Sequence, residues 1–229
     1  VRMSFSQLIQ FALCGLFIAA SVADLQAEFD GDSRSWQTLS GTYFEDDAWR
    51  LNLTGQTRLY DDSKYLGAWL VVPTVQYKIH PNFDLGASYI LEDTRAEAGQ
   101  DYTRLHIFWL NLSPHWKVSE NLNFSMRHVM AYRAVESSDN YWVSRHRFSV
   151  SYEMNDFSSL VGIGANTELF YNYEEDYLCE NRFVPLSLTI KINDKSKLSL
   201  YVMAQSKRSS GDFNWKTAYV LGQTFNIKF

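Results

Sequence analysis

Polar and apolar residues alternate along most of this chain. On the segment 49–60, Leu51 and Leu53 share one face, and Arg50 and Asn52 share the other. A period of two residues indicates a β-strand, because successive side chains of a strand point to opposite faces. The same pattern predicts nine further strands, at residues 69–79, 83–92, 103–116, 122–133, 142–153, 160–171, 182–192, 197–205 and 216–229.

The last predicted strand carries an apolar face that ends on an aromatic residue. Leu221, Phe225, Ile227 and Phe229 share this face with Tyr219, and the opposite face is mostly polar. Such a strand resembles the closing strand of bacterial outer-membrane β-barrels, whose aromatic end is read by the barrel-assembly machinery. We therefore predict that these four residues form an assembly signal and that the machinery is a partner.

The predicted connections fall into two classes that alternate along the chain. Residues 80–82, 117–121, 155–159 and 193–196 are short and turn-like, whereas 61–66, 95–101, 135–141, 172–179 and 207–214 are longer and more charged. Outer-membrane barrels have short periplasmic turns and longer outer loops. This order of short and long connections places the carboxyl terminus in the periplasm.

The number of strands stays open between ten and twelve. The segment Trp36–Tyr43 predicts a further strand, which would give eleven, but bacterial single-chain barrels have even numbers. Either residues 24–35 add a poor first strand, or the Trp36 segment lies at the rim or inside the lumen. We predict an all-β fold, a closed antiparallel transmembrane β-barrel of 10 to 12 strands with twelve favoured, as one domain over residues 24–229.

The amino-terminal segment predicts export. Arg2 precedes the apolar stretch Leu8–Ala20, which has the length of a signal-peptide core and is too short to span a membrane. Small residues at Ser21–Ala23 fit a cleavage site, so we predict a signal peptide over 1–23, with cleavage after Ala27 as the alternative. Together with the strand pattern, this predicts the cell outer membrane as the location and its lipid as a partner.

Composition narrows the function classes. The formal net charge of -5 argues against nucleic acid as a partner. The mean hydropathy of -0.27 resembles that of soluble proteins, but a barrel hides its apolar wall from such averages because alternate strand residues are polar. After cleavage at either position Cys179 is the remaining cysteine, which excludes an intramolecular disulfide and a thiol metal cluster.

The inward faces carry the candidate chemistry. The alternation places ten basic side chains in the lumen against four acidic ones. They are Arg50, Arg58, Lys78, Arg104, Arg127, Arg133, Arg145, Arg147, Lys191 and Lys216, against Asp84, Glu92, Glu153 and Glu168. A barrel of ten or twelve strands is narrow, and this excess predicts that its lumen prefers small anionic solutes. The alternative is a non-conducting structural or binding barrel, filled by side chains and by ion pairs of the arginines with Glu92, Glu153 and Glu168.

Four short motifs resemble one known family. They are the run Trp142–Tyr152 with its two arginines, the segment Asn166–Phe170, the pair Asn181–Arg182, and Tyr201–Gln205. Together they resemble the outer-membrane-associated family catalogued as domain of unknown function 2490, from about Trp36 to Phe229. A Glu would be expected two residues after Arg127, where this chain has Val129. The resemblance implies a location and a fold, and no activity.

Enzyme chemistry is the weakest alternative. Ser144 and His146 lie two residues apart on one outward face and could mimic the dyad of an outer-membrane phospholipase, but no acidic or amide residue of that strand completes it. His106 is expected to be a polar lumen residue, because no second metal ligand is spaced with it. We therefore predict no catalytic residue, no metal and no cofactor.

Overall fold

The computed structural model describes residues 32–136, 138–154, 159–209, 211 and 214–229. The predicted signal peptide 1–23 and both of its cleavage positions, after Ala23 and after Ala27, lie outside the described residues. Among the described residues no helix is long and apolar enough to cross a membrane.

Eleven strands form the described part of the chain. They are β1 Ser33–Glu45, β2 Trp49–Tyr60, β3 Tyr65–His80, β4 Phe83–Thr94, β5 Thr103–Lys117, β6 Leu122–Val135, β7 Tyr141–Glu153, β8 Leu160–Asn172, β9 Tyr177–Asn193, β10 Ser196–Lys207 and β11 Lys216–Lys228. Each strand pairs with the next along the chain, and β1 pairs with β11 to close the barrel. The prediction of a closed all-β barrel of 10 to 12 strands is confirmed.

The closure corrects two details of that prediction. The described residues close with eleven strands, whereas twelve was favoured, and β1 lies parallel to β11 from the pair Ser33 and Tyr219 to the pair Thr42 and Lys228. Strand direction reverses at every connection, so an odd number of strands leaves the first and last strands parallel. The Trp36 segment therefore lies in the wall, not at the rim.

The start of β1 is tied to the loop between β2 and β3. The Ser33 hydroxyl donates to Asp62 Oδ1 at 3.1 Å, and the Ser63 amide donates to the Ser33 carbonyl at 3.2 Å. Hydrogen bonds from Lys64, and then from Ser33, hold the pKa of Asp62 below its ordinary value. These contacts anchor the strand that completes the ring.

The outer face of the wall is apolar and has no second layer over it. Leu110 is 68% exposed, Phe108 53% and Leu39 55%, and each lies on the face opposite to the lumen. A soluble sheet would bury such a face against other elements, whereas a membrane barrel presents it to lipid. This face explains the regular alternation in the sequence.

One irregularity in β9 changes which residues face inward. Val184 and Ser187 both line the lumen, although an unbroken strand would place them on opposite faces. The register of β9 with β10 also shifts there, and Pro185 between them cannot donate to the ladder. The shift places Lys191 on the inner face.

The closing strand has the predicted faces. Thr224 lines the lumen, so Leu221, Phe225, Ile227 and Phe229 lie on the outer face. The Phe229 ring stacks on Tyr43 at 4.7 Å between centroids. The role of the four residues in assembly stays a prediction.

A charge on the outer face of β11 should prevent assembly, whereas the same charge on the inner face should be tolerated. We expect Leu221→Arg to cost about 2 to 4 kcal/mol near the middle of the bilayer. Thr224→Arg is the matched control, because it adds the same side chain to the same strand but projects it into the lumen. The amount of the folded, heat-modifiable form of each variant in membranes would be measured by gel electrophoresis. Equal amounts for both variants would contradict the assigned faces.

Candidate functional site in the lumen

A cavity of about 670 Å³ lies inside the barrel, and basic side chains dominate its charged lining. Seven basic side chains face three acidic ones. They are Arg58, Arg127, Arg133, Arg145, Arg147, Arg182 and Lys207, against Glu92, Glu168 and Glu180. The lining therefore carries a formal positive excess, although the whole chain is acidic.

Glu168 on β8 is the centre of the cationic cluster. Its side chain is 1% exposed, and its carboxylate accepts hydrogen bonds from Arg127 at 3.1 Å, from Arg145 at 3.0 Å and from Arg147 at 3.0 Å. The register explains the convergence, because Arg147 lies directly opposite Glu168 on the neighbouring strand and directly opposite Arg127 on the other side. One carboxylate thus faces three guanidinium groups, which leaves the group with a net positive charge.

The other two carboxylates are also held in contacts. Glu180 accepts from Arg182 Nε at 2.5 Å and from Gln205 Nε2 at 2.6 Å, and Glu92 accepts from Arg58 Nη1 at 3.0 Å. Ion pairs in such short geometry restrict the side chains and fix the shape of the lining. The ion pairs between charged side chains therefore set the shape of the lumen.

Guanidinium groups and aromatic rings alternate across the lumen. Each guanidinium carbon lies 4.2 to 4.9 Å from the centroid of a neighbouring ring, within the range of cation–π attraction. The order is Arg58, Trp36, Arg182, Phe170, Arg145 and Trp109. This stack and the Glu168 group lie side by side in the lining of the same cavity, since Arg145 belongs to both.

Several buried donors of the lining have no hydrogen-bond partner among the described residues. They are the Nε groups of Arg127, Arg133, Arg145 and Arg147, and the indole Nε1 groups of Trp36 and Trp109. A buried donor without an acceptor costs about 1 to 3 kcal/mol, and more when it is charged. Water or an anionic solute in the cavity could accept hydrogen bonds from these donors.

One side of the inner face is apolar, and this corrects the prediction for β5. Leu105, Ile107 and Trp109 point inward and pack with residues of β3, β4 and β6. Arg104 and His106 therefore lie on the outer face, where Arg104 forms two hydrogen bonds to Asp93 at 2.8 and 2.9 Å. The prediction that Arg104 and His106 point into the lumen is wrong, because an apolar lumen patch reverses the usual alternation.

The other side chains that were predicted as lumen charges also belong to the inner face, but they lie at the ends of the barrel. Arg50, Lys78, Asp84, Glu153 and Lys191 are at the end of the short turns, and Lys216 is at the end of the long loops. Arg50 pairs with Glu45, Lys191 pairs with Asp194, and Glu153 accepts from Asn123. The structure thus brings Arg127, Arg145, Arg147 and Glu168 together at one place and leaves these six outside it.

Sequence reasoning missed Glu180, Arg182 and Lys207 as parts of the lining. Strand β9 begins at Tyr177, five residues before the predicted start, so Glu180 was assigned to no strand. The pair was still visible in the sequence, because residues 180 and 182 share a face in any strand that contains both. An acid and a base in that spacing indicate an ion pair on one wall.

A family comparison agrees with the fold. A model described as "Protein of unknown function (DUF2490)" matches residues 33–217. The chain belongs to this family. A comparison with curated proteins finds no match.

Two porins are among the solved structures similar to this DUF2490 member. A NanC porin in a rhombohedral crystal form is 14% identical with a TM-score of 0.47, and the match covers 85% of this chain and 98% of that one. An anion-selective porin from Comamonas acidovorans is 11% identical with a TM-score of 0.39, covering 80% and 55% respectively.

The Ser144 and His146 pair lies on the outer wall. His146 Nε2 lies 3.2 Å from Ser144 Oγ, and His146 Nδ1 lies 2.9 Å from His128 Nδ1. Ser144 is 3% exposed and lies between two paired strands, which leaves its hydroxyl no open approach to an ester. The geometry therefore does not favour a hydrolase.

Within the described ranges no group of three or more His, Cys, Asp or Glu could hold a metal ion.

Glu168 should be the most important carboxylate for stability. Glu168→Gln leaves three guanidinium groups without their shared counter-charge, so we expect a loss of about 3 to 5 kcal/mol in the free energy of unfolding. Urea unfolding of the folded barrel in lipid vesicles would measure it. Glu153→Gln is the matched control at the exposed end of β7, and we expect a change within about 1 kcal/mol. Equal losses for both variants would contradict the central role of Glu168.

Proposed function

We propose that this protein is an outer-membrane barrel whose narrow lumen prefers small anionic solutes. The observation that carries the proposal is the charged lining, with seven basic and three acidic side chains around one cavity. An excess of fixed cations behind a low-dielectric wall raises the local concentration of anions. The uncovered apolar outer face supports the membrane location.

The basic side chains follow one another along the lumen. Arg133 and Lys207 lie toward the long loops, and the Arg133 guanidinium bonds to the Tyr141 hydroxyl and to no carboxylate among the described residues. An anion that enters from this end would meet Arg133 first and the Glu168 group next. Glu168 then competes with the anion for the same three arginines, which keeps binding weak enough for release.

The charged side chains of the lumen would hold and guide a solute without making or breaking its bonds. Each carboxylate of the lining lies in contact with at least one arginine. A general acid or base must be available to exchange a proton with its substrate. We therefore infer a non-enzymatic barrel.

A non-conducting structural or binding barrel is the second candidate. It is favoured by the apolar patch inside the lumen, formed by Leu70, Ile90, Leu105, Ile107, Val129 and Ala131. This patch packs as a protein core does, and with the arginine stack it could fill a barrel of this size. In that case the ion pairs are a scaffold and the loops bind the partner.

Arg133 should contribute to anion preference without supporting the fold. We expect Arg133→Gln to lower the anion-to-cation permeability ratio in planar bilayers under a salt gradient, because it removes a lumen cation that has no carboxylate partner. Arg104→Gln is the matched control, since it makes the same change on the outer face. Its permeability ratio should equal that of the wild type.

The wild-type measurement decides between the two candidates. A reversal potential that shows cation preference would contradict the anion proposal. Folded, heat-modifiable protein without any conductance would favour the non-conducting barrel. Equal effects of Arg133→Gln and Arg104→Gln would show that the lining does not set the selectivity.

A further inference from the structure

The lumen cavity has an apolar side and a cationic side. On the apolar side, the lining comes from three neighbouring strands, β3, β4 and β5, and consists of Leu70, Val72, Ile90, Leu105, Ile107 and Trp109. On the cationic side, arginines of β6, β7 and β9 line the same cavity, and these are Arg127, Arg133, Arg145, Arg147 and Arg182. One cavity therefore offers a solute two walls of different chemistry.

The two sides meet at Trp109 on β5 and Val129 on β6. The Trp109 ring packs against the apolar side, and the guanidinium carbons of Arg145 and Arg127 lie 4.2 and 5.9 Å from its centroid. Val129 belongs to the apolar cluster and lies directly opposite Arg145 in the register of β6 with β7. A small molecule in the cavity is therefore long enough to contact both sides at once.

Each side has members that a solute can reach. Most of the aliphatic side chains are buried against one another, but Val72 and Trp109 are half-buried and line the cavity. Among the arginines that bind Glu168, the side chains of Arg127 and Arg147 are 31% and 35% exposed, whereas that of Arg145 is 6% exposed. Val72 and Trp109 are thus available to the body of a solute, and Arg127 and Arg147 to its charge.

We propose that the solute of this lumen is an amphipathic anion, a small molecule with one carboxylate, sulfonate or phosphate group and an apolar body. The inference rests on the anion preference proposed above and adds the apolar body to it. An apolar body against Val72 and Trp109 would remove apolar surface from water on both partners. Small-molecule sites have this kind of lining, and their usual volumes of about 300 to 1,000 Å³ include the 670 Å³ of this cavity.

Other classes of solute match only part of the lining. A polar anion would contact the arginines and leave the apolar side in water. A neutral apolar solute would contact Val72 and Trp109 and leave the excess positive charge without a counter-charge. An amphipathic anion complements both sides, and the closeness of Trp109 to Arg145 sets the charged group next to the apolar body.

Two monoanions of similar size test the solute class. Benzenesulfonate carries an apolar ring, gluconate carries a hydroxylated chain, and both are ionised at neutral pH. Their affinities for the folded barrel in detergent would be measured by isothermal titration calorimetry, and their block of chloride conductance would be measured in planar bilayers. We expect benzenesulfonate to bind more tightly than gluconate. Equal affinities, or tighter binding of gluconate, would overturn the inference.

A matched pair of variants on β3 locates the apolar contact. Val72→Thr replaces a methyl group by a hydroxyl at nearly constant volume, so we expect benzenesulfonate to bind about fourfold more weakly, the equivalent of one buried methylene, and gluconate to bind as before. Val71→Thr makes the same change at the neighbouring position on the outer face and should alter neither affinity. Val72→Ala repeats the test if Val72→Thr assembles poorly. Equal effects of the Val72 variant on both probes would contradict the apolar contact.

A variant on the cationic side gives the opposite pattern. Arg147→Gln removes one of the reachable guanidinium groups, so it should weaken the binding of benzenesulfonate and of gluconate by a similar factor. Loss of benzenesulfonate binding alone would contradict the assigned roles of the two sides.

Binding and conductance together separate the solute class from the pore. Tighter binding of benzenesulfonate by folded protein that does not conduct would support the amphipathic ligand and contradict the pore. Anion-preferring conductance with equal affinities for the two probes would support the pore and overturn the amphipathic solute.

Discussion

The structure depends on one buried carboxylate that partly neutralises a cluster of three arginines. Glu168 is the shared acceptor of Arg127, Arg145 and Arg147, and the three arginines come from two neighbouring strands. Without it, three guanidinium groups would repel one another at close range. With it, they stay together and still carry excess charge. Arg145 links this group to the cation–π stack, because its guanidinium contacts both Glu168 and the Trp109 ring.

The outer face was predictable from the sequence because lipid imposes one rule on it. Every strand must present apolar side chains to the membrane, so the phase of β11, with Leu221 outward and Thr224 inward, was assigned correctly. The inner face obeys no single rule. Its side chains pack against one another, so an inward position can be apolar, as at Leu105 and Ile107, or polar. For this reason the phase of β5 was assigned wrongly and Arg104 was placed inside.

Strand number and local register could not be read from the alternation. A period of two identifies a strand but does not say which strand pairs with which, and a parallel closure between β1 and β11 leaves no local signature. The phase shift at Pro185 likewise depends on pairing with β10. Glu168, Arg145 and Arg147 were assigned to the lumen individually. Their meeting at one point is a product of register, which the sequence does not display.

Because the wall of the barrel is closed, any control over the passage of a solute must come from side chains in the lumen. The strands are hydrogen-bonded around the whole ring, so the width of the barrel is set by strand number and stagger. The middle of the lumen is occupied by arginines, two tryptophans and Phe170, and ion pairs and ring contacts hold them. In the anion pore proposed above, a solute that binds these arginines would compete with Glu168 for them. Selectivity and passage would then depend on the same cluster of side chains.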